Sequence, residues 1–132
     1  IKSVIKLLKK EAQRSGIRID FDPQLNISIN SIPGQLKEIL FNLVLNAIQA
    51  CSRQGGQIII STLKNNDKLK IIIQDNGPGI KDLHLIFDPF YTTRQDGTGL
   101  GLAIVKNKIE ELGGTIHAKN HPDGGAEFIV EF

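Results

Sequence analysis

Asp75-Asn76-Gly77-Pro78-Gly79 closes one apolar run, and Gly97-Thr98-Gly99-Leu100-Gly101-Leu102 opens another. The first stretch ends a strand pattern with a carboxylate and then enters glycine-rich backbone. The second sets glycine at alternate positions where a helical pattern begins. A carboxylate can read the polar edge of a base, and a glycine loop at a helix N-terminus holds phosphate on bare amides. A strand ending in one and a helix starting in the other imply an α/β domain with a nucleotide pocket, its base end separate from its phosphate end.

Working outward, residues 68–74 and 57–63 read as two strands joined by the hairpin signal Asn65-Asn66-Asp67. Upstream, Leu36, Ile39, Leu40, Leu43, Val44, Ala47 and Ile48 recur at helical spacing to about Ala50, after the helix-start residues Ser31 and Pro33. Leu25, Ile27 and Ile29 suggest a short strand, and Ile17, Ile19 and Phe21 alternate with Arg18 and Asp20 as a half-buried one. Residues 2–15 carry Val4, Ile5, Leu7, Leu8 and Ala12 among lysines, a helix stopped by Gly16. Downstream, Leu102, Val105, Ile109 and Leu112 mark a last helix ending at Gly113-Gly114. Residues 115–119 and 126–132 close the chain as strands around Asp123-Gly124-Gly125. Residues 76–97 hold no period and are rich in Gly, Pro, Asp and Thr, as expected of a long functional loop. The sum is a two-layer α/β sandwich, with a mixed sheet of five or six strands, three helices on one face, and this loop as a lid.

At 132 residues the chain is one domain, residues 1–132, of ordinary globular composition with a net charge of +2. Lys2, Lys6, Lys9, Lys10 and Arg14 read as the solvated face of a helix, not as a nucleic-acid surface, because no aromatics interleave with them. No apolar run reaches membrane-spanning length. The lone cysteine, Cys51, excludes an internal disulfide and reads as a structural thiol. There is no methionine, as expected of a fragment or a processed chain.

Glu38, Asn42, Asn46 and Gln49 share one face of the central helix, opposite the leucine stripe. Such a stripe is ordinarily a solvated face. Asparagine is a mediocre helix former, however, and its amide oxygen suits a magnesium ion that keeps its waters and shares phosphate oxygens. Asp75 is either a turn aspartate or an acceptor for the exocyclic amine of adenine. Residues 97–102 are either a hinge or a phosphate cradle. Gly99 and Gly101 would cost up to roughly 1 kcal/mol each in a helix start, which favours close approach to a ligand. No Lys-Ser/Thr follows these glycines, so they do not form a P-loop. Phe87, Pro89, Phe90 and Tyr91 form an aromatic cluster able to latch a lid, and Thr92, Thr93 and Arg94 offer hydroxyls and a charge to a terminal phosphate.

In order and spacing, Asn42-x-x-x-Asn46-Ala47, Asp75-x-Gly77-x-Gly79, Phe87-x-x-Phe90 and Gly97-x-Gly99-x-Gly101-Leu102 resemble the catalytic ATP-binding domain of sensor histidine kinases. These kinases belong to a superfamily with gyrase, the heat-shock chaperone ATPase and the mismatch-repair ATPase. Asn-Ala-Ile-Gln-Ala and Phe-Tyr-Thr-Thr-Arg resemble the nitrogen-regulation and sporulation-type kinases in particular.

The resemblance implies ATP and Mg²⁺ as cofactors. It makes Asn46 the metal ligand, with Asn42 beside the phosphates or the metal. Asp75 takes the adenine amine, with Gly77, Gly79 and Ile80 shaping that pocket. Phe87 and Phe90 belong to the lid. Gly97, Thr98, Gly99, Leu100 and Gly101 lie against the phosphates, with Leu102 near the base.

Two departures stand out. Gln49 occupies a position where many members have a phosphate-contacting lysine, which shifts the load to Arg94. Ala126-Glu127 stands where many members have a hydroxyl before the last strand's Phe. Hydrolytic relatives carry a glutamate base where this chain has Asn42. Slow hydrolysis and transfer to another group are therefore expected, with Asn42, Asn46 and Arg94 as the catalytic set.

None of His84, His117 and His121 stands in the family's acceptor pattern, and all three read as surface histidines. The acceptor is then expected on a dimerisation domain of the parent kinase, to which residues 1–15 would lead. A response regulator would be an indirect partner, and the domain itself would be cytoplasmic with no membrane contact. The alternative reading is an anti-sigma-factor-type serine kinase or an ATP-binding regulatory module of the same fold.

Overall fold

The computed structural model describes residues 2–21, 34–51, 55–65, 68–88, 101–122 and 124–132. Three helices are seen among them: α1 (Lys2–Arg14), α2 (Gly34–Ala50) and α3 (Gly101–Glu111). The strands are β1 (Ile17–Phe21), β2 (Gly56–Asn65), β3 (Lys68–Asp75), β4 (Thr115–Asn120) and β5 (Ala126–Glu131). They form a five-stranded sheet in the order β1-β2-β3-β5-β4. The expected strand at Leu25, Ile27 and Ile29 and the helix-start residues Ser31 and Pro33 fall outside the described residues.

The sheet is mixed for a topological reason. β1 reaches β2 through α2 and therefore runs parallel to it, Ile19 pairing with Ile58, whereas the remaining neighbours are antiparallel. The β2–β3 ladder closes at Asn65↔Lys68, so Asn65 of the three-residue hairpin signal belongs to β2. β3 then pairs with β5, so the last strand enters the middle of the sheet beside Asp75 rather than at an edge.

One face of the sheet is covered by the helices. Ile58, Ile60, Ile71, Ile73, Ile116, Phe128 and Val130 point into a core that also holds Leu8 and Ala12 of α1, Leu36, Ile39, Leu40, Leu43, Val44 and Ile48 of α2, and Val105 and Ile109 of α3. The strand period of two sends Ile59 (42% exposed) and Leu63 (57%) to the opposite, open face. On α1, Lys6, Lys9, Lys10 and Arg14 are exposed, so the basic run is a solvated face. α3 ends in a Schellman motif. Gly113 at φ 85° bonds back to the Glu110 carbonyl, and Gly114 N–H bonds to the Ile109 carbonyl at 2.9 Å.

Candidate nucleotide site

The expected polar stripe on α2 is present. Its apolar face is buried, Asn42 and Asn46 are half-buried, and Glu38 and Gln49 are exposed. Glu38 has a structural role of its own. Its Oε1 accepts from Lys108 Nζ of α3 at 3.4 Å, an exposed pair that links the two helices. The stripe thus runs from an interhelical ion pair toward the last turn of α2, where the chain meets the loop after β3.

Asp75 is the last residue of β3 and is buried, at 6% exposure. Its Oδ1 accepts from the Gly77 N–H at 2.9 Å and from the Ala126 N–H at 3.2 Å. Asp75 is therefore more than a turn aspartate. It caps its own loop and also ties that loop to the start of β5. A side chain on Gly77 would place its Cβ 3.2 Å from Asp75 Oδ1 and 3.7 Å from the Ala50 carbonyl of α2. Gly79 sits at φ 82°. A side chain on Gly77 would be tight against the carboxylate, and Gly79 has the left-handed backbone that favours glycine.

Asn76 joins the elements around this carboxylate. Its Oδ1 accepts from the Gln57 N–H at 2.7 Å and from the Cys51 thiol at 3.2 Å, and its Nδ2 donates to the Gly55 carbonyl at 3.3 Å. The loop after β3 is thereby bonded to the end of α2 and to the start of β2. Burial raises the Cys51 pKa above the ordinary thiol range, and the Asp75 charge adds to the effect. Cys51 is the structural thiol its isolation implied.

At the far end of the loop, Ile80 is held by its backbone. Its N–H donates to Asn120 Oδ1 at 2.7 Å, and its carbonyl accepts from Asn120 Nδ2 at 2.8 Å. Beyond it, Leu85 N–H bonds to the Asp82 carbonyl and Asp88 N–H to the Leu85 carbonyl, both at 3.0 Å. Ile86 is buried. Phe87 stacks edge-on against Phe128 of β5, with centroids 6.4 Å apart, and lies under Lys106 Nζ of α3 at 5.5 Å. Residues 80–88, the described part of the expected lid, are accordingly held against β4, β5 and α3. The cause is the burial of Ile86 and Phe87 and the Asn120 bonds, which residue composition does not show.

At the start of α3, Gly101 is exposed and Leu102 is half-buried against the core. Phe90, Thr93, Arg94, Gly97, Thr98, Gly99 and Leu100 lie outside the described residues, as do Pro89, Tyr91 and Thr92.

Sequence reasoning missed Asn120 and Gly125. Gly125 has φ 95°, and a Cβ there would collide with the Asp75 carbonyl. The Gly124-Gly125 pair was legible as a turn but not as a contact. His121 also differs from expectation: its Nε2 lies 3.3 Å from Oε1 of Glu127, a buried carboxylate whose Oε2 also meets Lys119 Nζ at 3.1 Å. His84 and His117 are exposed, as expected.

Residues 31–132 match the family model of histidine kinase-, DNA gyrase B- and HSP90-like ATPases. The chain belongs to this ATPase family. Within it, the chain is 39% identical over 129 residues to the sensor histidine kinase ZraS of Salmonella typhi, covering 96% of this chain and 28% of that protein. It is 36% identical over 136 residues to sporulation kinase A of Bacillus subtilis strain 168, covering 100% and 22% respectively. The chain thus spans only about a quarter of the length of these relatives. The nucleotide-free catalytic domain of histidine kinase ThkA superposes with a TM-score of 0.78 at 30% identity, over 99% of this chain and 88% of that one. ThkA in complex with the response regulator protein TrrA matches at 0.74 and 28% identity, over 99% of this chain and 38% of that one. The fold is that of a histidine kinase catalytic domain, an ATPase-family sandwich. None of the helices among the described residues is long and apolar enough to cross a membrane.

Proposed function

We propose that this domain binds Mg-ATP among α2, the loop after β3 and the start of α3, and that it donates the γ-phosphoryl group to a histidine on another domain of a two-component sensor kinase. Asp75 carries the reading. Its carboxylate is buried, and the two bonds it makes among the described residues both fall on Oδ1. On this reading Oδ2 is the oxygen that takes an incoming donor. The exocyclic amine of adenine supplies one, whereas guanine has a carbonyl there and would be repelled. Membership of an ATPase family and likeness to sensor histidine kinases support the same ligand.

The donor chemistry of α2 fits a magnesium ion. Asn46 presents a neutral, half-buried amide on the polar stripe, one turn from Asn42. A hard oxygen of this kind suits an ion that keeps its waters and shares phosphate oxygens. Bound there, the ion supplies charge neutralisation between the phosphates. Asn42 cannot accept a proton from water, so the site favours transfer over hydrolysis. Gln49 is exposed at the end of the stripe and would meet phosphate without a charge. Gly101 and Leu102 would close the pocket from α3, with residues 97–100 on the phosphates and Thr93 and Arg94 on the terminal one.

The phosphoacceptor is a dimerisation domain of the parent kinase. A response regulator is the further partner, and the complex of ThkA with the response regulator protein TrrA supports that part of the reading. The domain works on the cytoplasmic side. The test is to mix the domain with a dimerising helical hairpin that carries a histidine, in the presence of labelled Mg-ATP. An acid-labile, base-stable phosphoprotein is the expected product. An acid-stable one would mean serine-kinase chemistry instead.

A further inference from the structure

The Asp75 loop is held at both ends by one hairpin. At its start, the Ala126 N–H of β5 bonds to Asp75 Oδ1, and Gly125 packs without a side chain against the Asp75 carbonyl. At its end, the Asn120 side chain of β4 makes two bonds to the backbone of Ile80, 2.7 Å to the N–H and 2.8 Å from its own amide to the carbonyl. The hairpin itself is closed by His121 N–H to the Gly125 carbonyl at 2.9 Å and Gly124 N–H to the His121 carbonyl at 3.0 Å. Between the two attachments lie Gly77 and Gly79, and a Cβ on Gly79 would come within 3.0 Å of Asn120 Oδ1.

We propose that Asn120 is a positioning residue for base recognition. Its amide stands in for backbone, accepting from the N–H and donating to the carbonyl of the same residue, and so fixes the path of residues 77–80. That path sets where the carboxylate of Asp75 and the backbone of Gly77 and Gly79 meet the base. The proposal rests on the reading of Asp75 as the adenine acceptor. Asn120 itself is exposed, so its bonds contribute little to global stability and act on where the loop lies.

ATP and GTP affinities, measured by calorimetry with magnesium, test this in Asn120→Ala, Asn120→Asp and Asp75→Asn. The ratio of the two affinities cancels any general effect on the phosphates. Asn120→Ala is expected to weaken ATP about tenfold and GTP less, the scale of one or two lost hydrogen bonds, and to speed exchange of the Ile80 amide. Asn120→Asp has the same shape and keeps the acceptor for the Ile80 N–H. It puts an oxygen opposite the Ile80 carbonyl, however, so the ratio should narrow as in Asn120→Ala. A space-filling role would leave Asn120→Asp like the parent. Parent ratios in both Asn120 variants, with a collapsed ratio in Asp75→Asn, overturn this inference and leave the site reading standing. A parent ratio in Asp75→Asn overturns both.

Discussion

Asp75 accepts two backbone N–H bonds through one oxygen, so an amide can replace its structural half but not its charge. Asp75→Asn is expected to fold normally, because the amide oxygen still serves Gly77 and Ala126. It should lose about 1.5–3 kcal/mol of ATP binding, the worth of a hydrogen bond to a charged group. Calorimetry beside a thermal melt checks both halves, and an unchanged affinity would reduce Asp75 to a loop cap. Gly125→Ala is the converse case. The new Cβ meets the Asp75 carbonyl at φ 95°, so stability should fall by about 3 kcal/mol in a urea titration. Cys51 gives a pH signature. Its thiol pKa is raised in the folded state, mainly by burial, so the folded protein holds this proton more tightly than the unfolded chain. Stability is therefore full below the ordinary thiol range and declines as pH rises through the raised value. In melts of the parent and Cys51→Ala across pH 7 to about 10, the parent's advantage should shrink toward the alkaline end. A constant gap would mean that the thiol does not titrate between the two states.

At the scale of elements, α2 separates its two tasks by face. Leu36, Ile39, Leu43, Val44 and Ile48 hold the core, while Asn42 and Asn46 lie on the other side. Asn46→Asp should therefore keep the melting temperature and shift the magnesium dependence of ATP binding, since the added charge competes with phosphate for the ion. Binding curves that overlay the parent at every magnesium concentration would remove Asn46 from the metal site. The loop after β3 behaves as an element too. The amides of Ile80, Leu85 and Asp88 are bonded within the protein, so their exchange should be slow without nucleotide. Protection gained only on adding ATP should fall beyond Asp88, in the stretch carrying Thr93 and Arg94. Rapid exchange at Ile80 in the free protein would contradict the anchoring by Asn120.

For the whole molecule, the arrangement predicts a binder that turns over slowly by itself. Asn42 offers no base, and His84 and His117 are surface residues while His121 is engaged with Glu127. Steady hydrolysis of Mg-ATP is expected well below about one per second, the low end of ordinary enzymes. Faster turnover would require a base that this reading does not contain. The sandwich itself was legible in the sequence. Helical spacing in 36–48, period-two alternation in 17–21, the hairpin signal at 65–67 and glycines at helix ends are local signals, because side-chain direction and turn chemistry are set by the nearby backbone. The two asparagines and Asp75 were legible for the same reason, since each sits at a fixed place on an element. Asn120, Gly125 and Asn76 were not. The roles of Asn120 and Gly125 exist only because β5 enters the sheet beside β3 and brings the β4–β5 hairpin against the Asp75 loop, and that of Asn76 only because the end of α2 and the start of β2 meet that loop. No local pattern records that approach. It is set by which strands find each other when the core is buried, and so the tertiary structure alone decided what holds the site in shape.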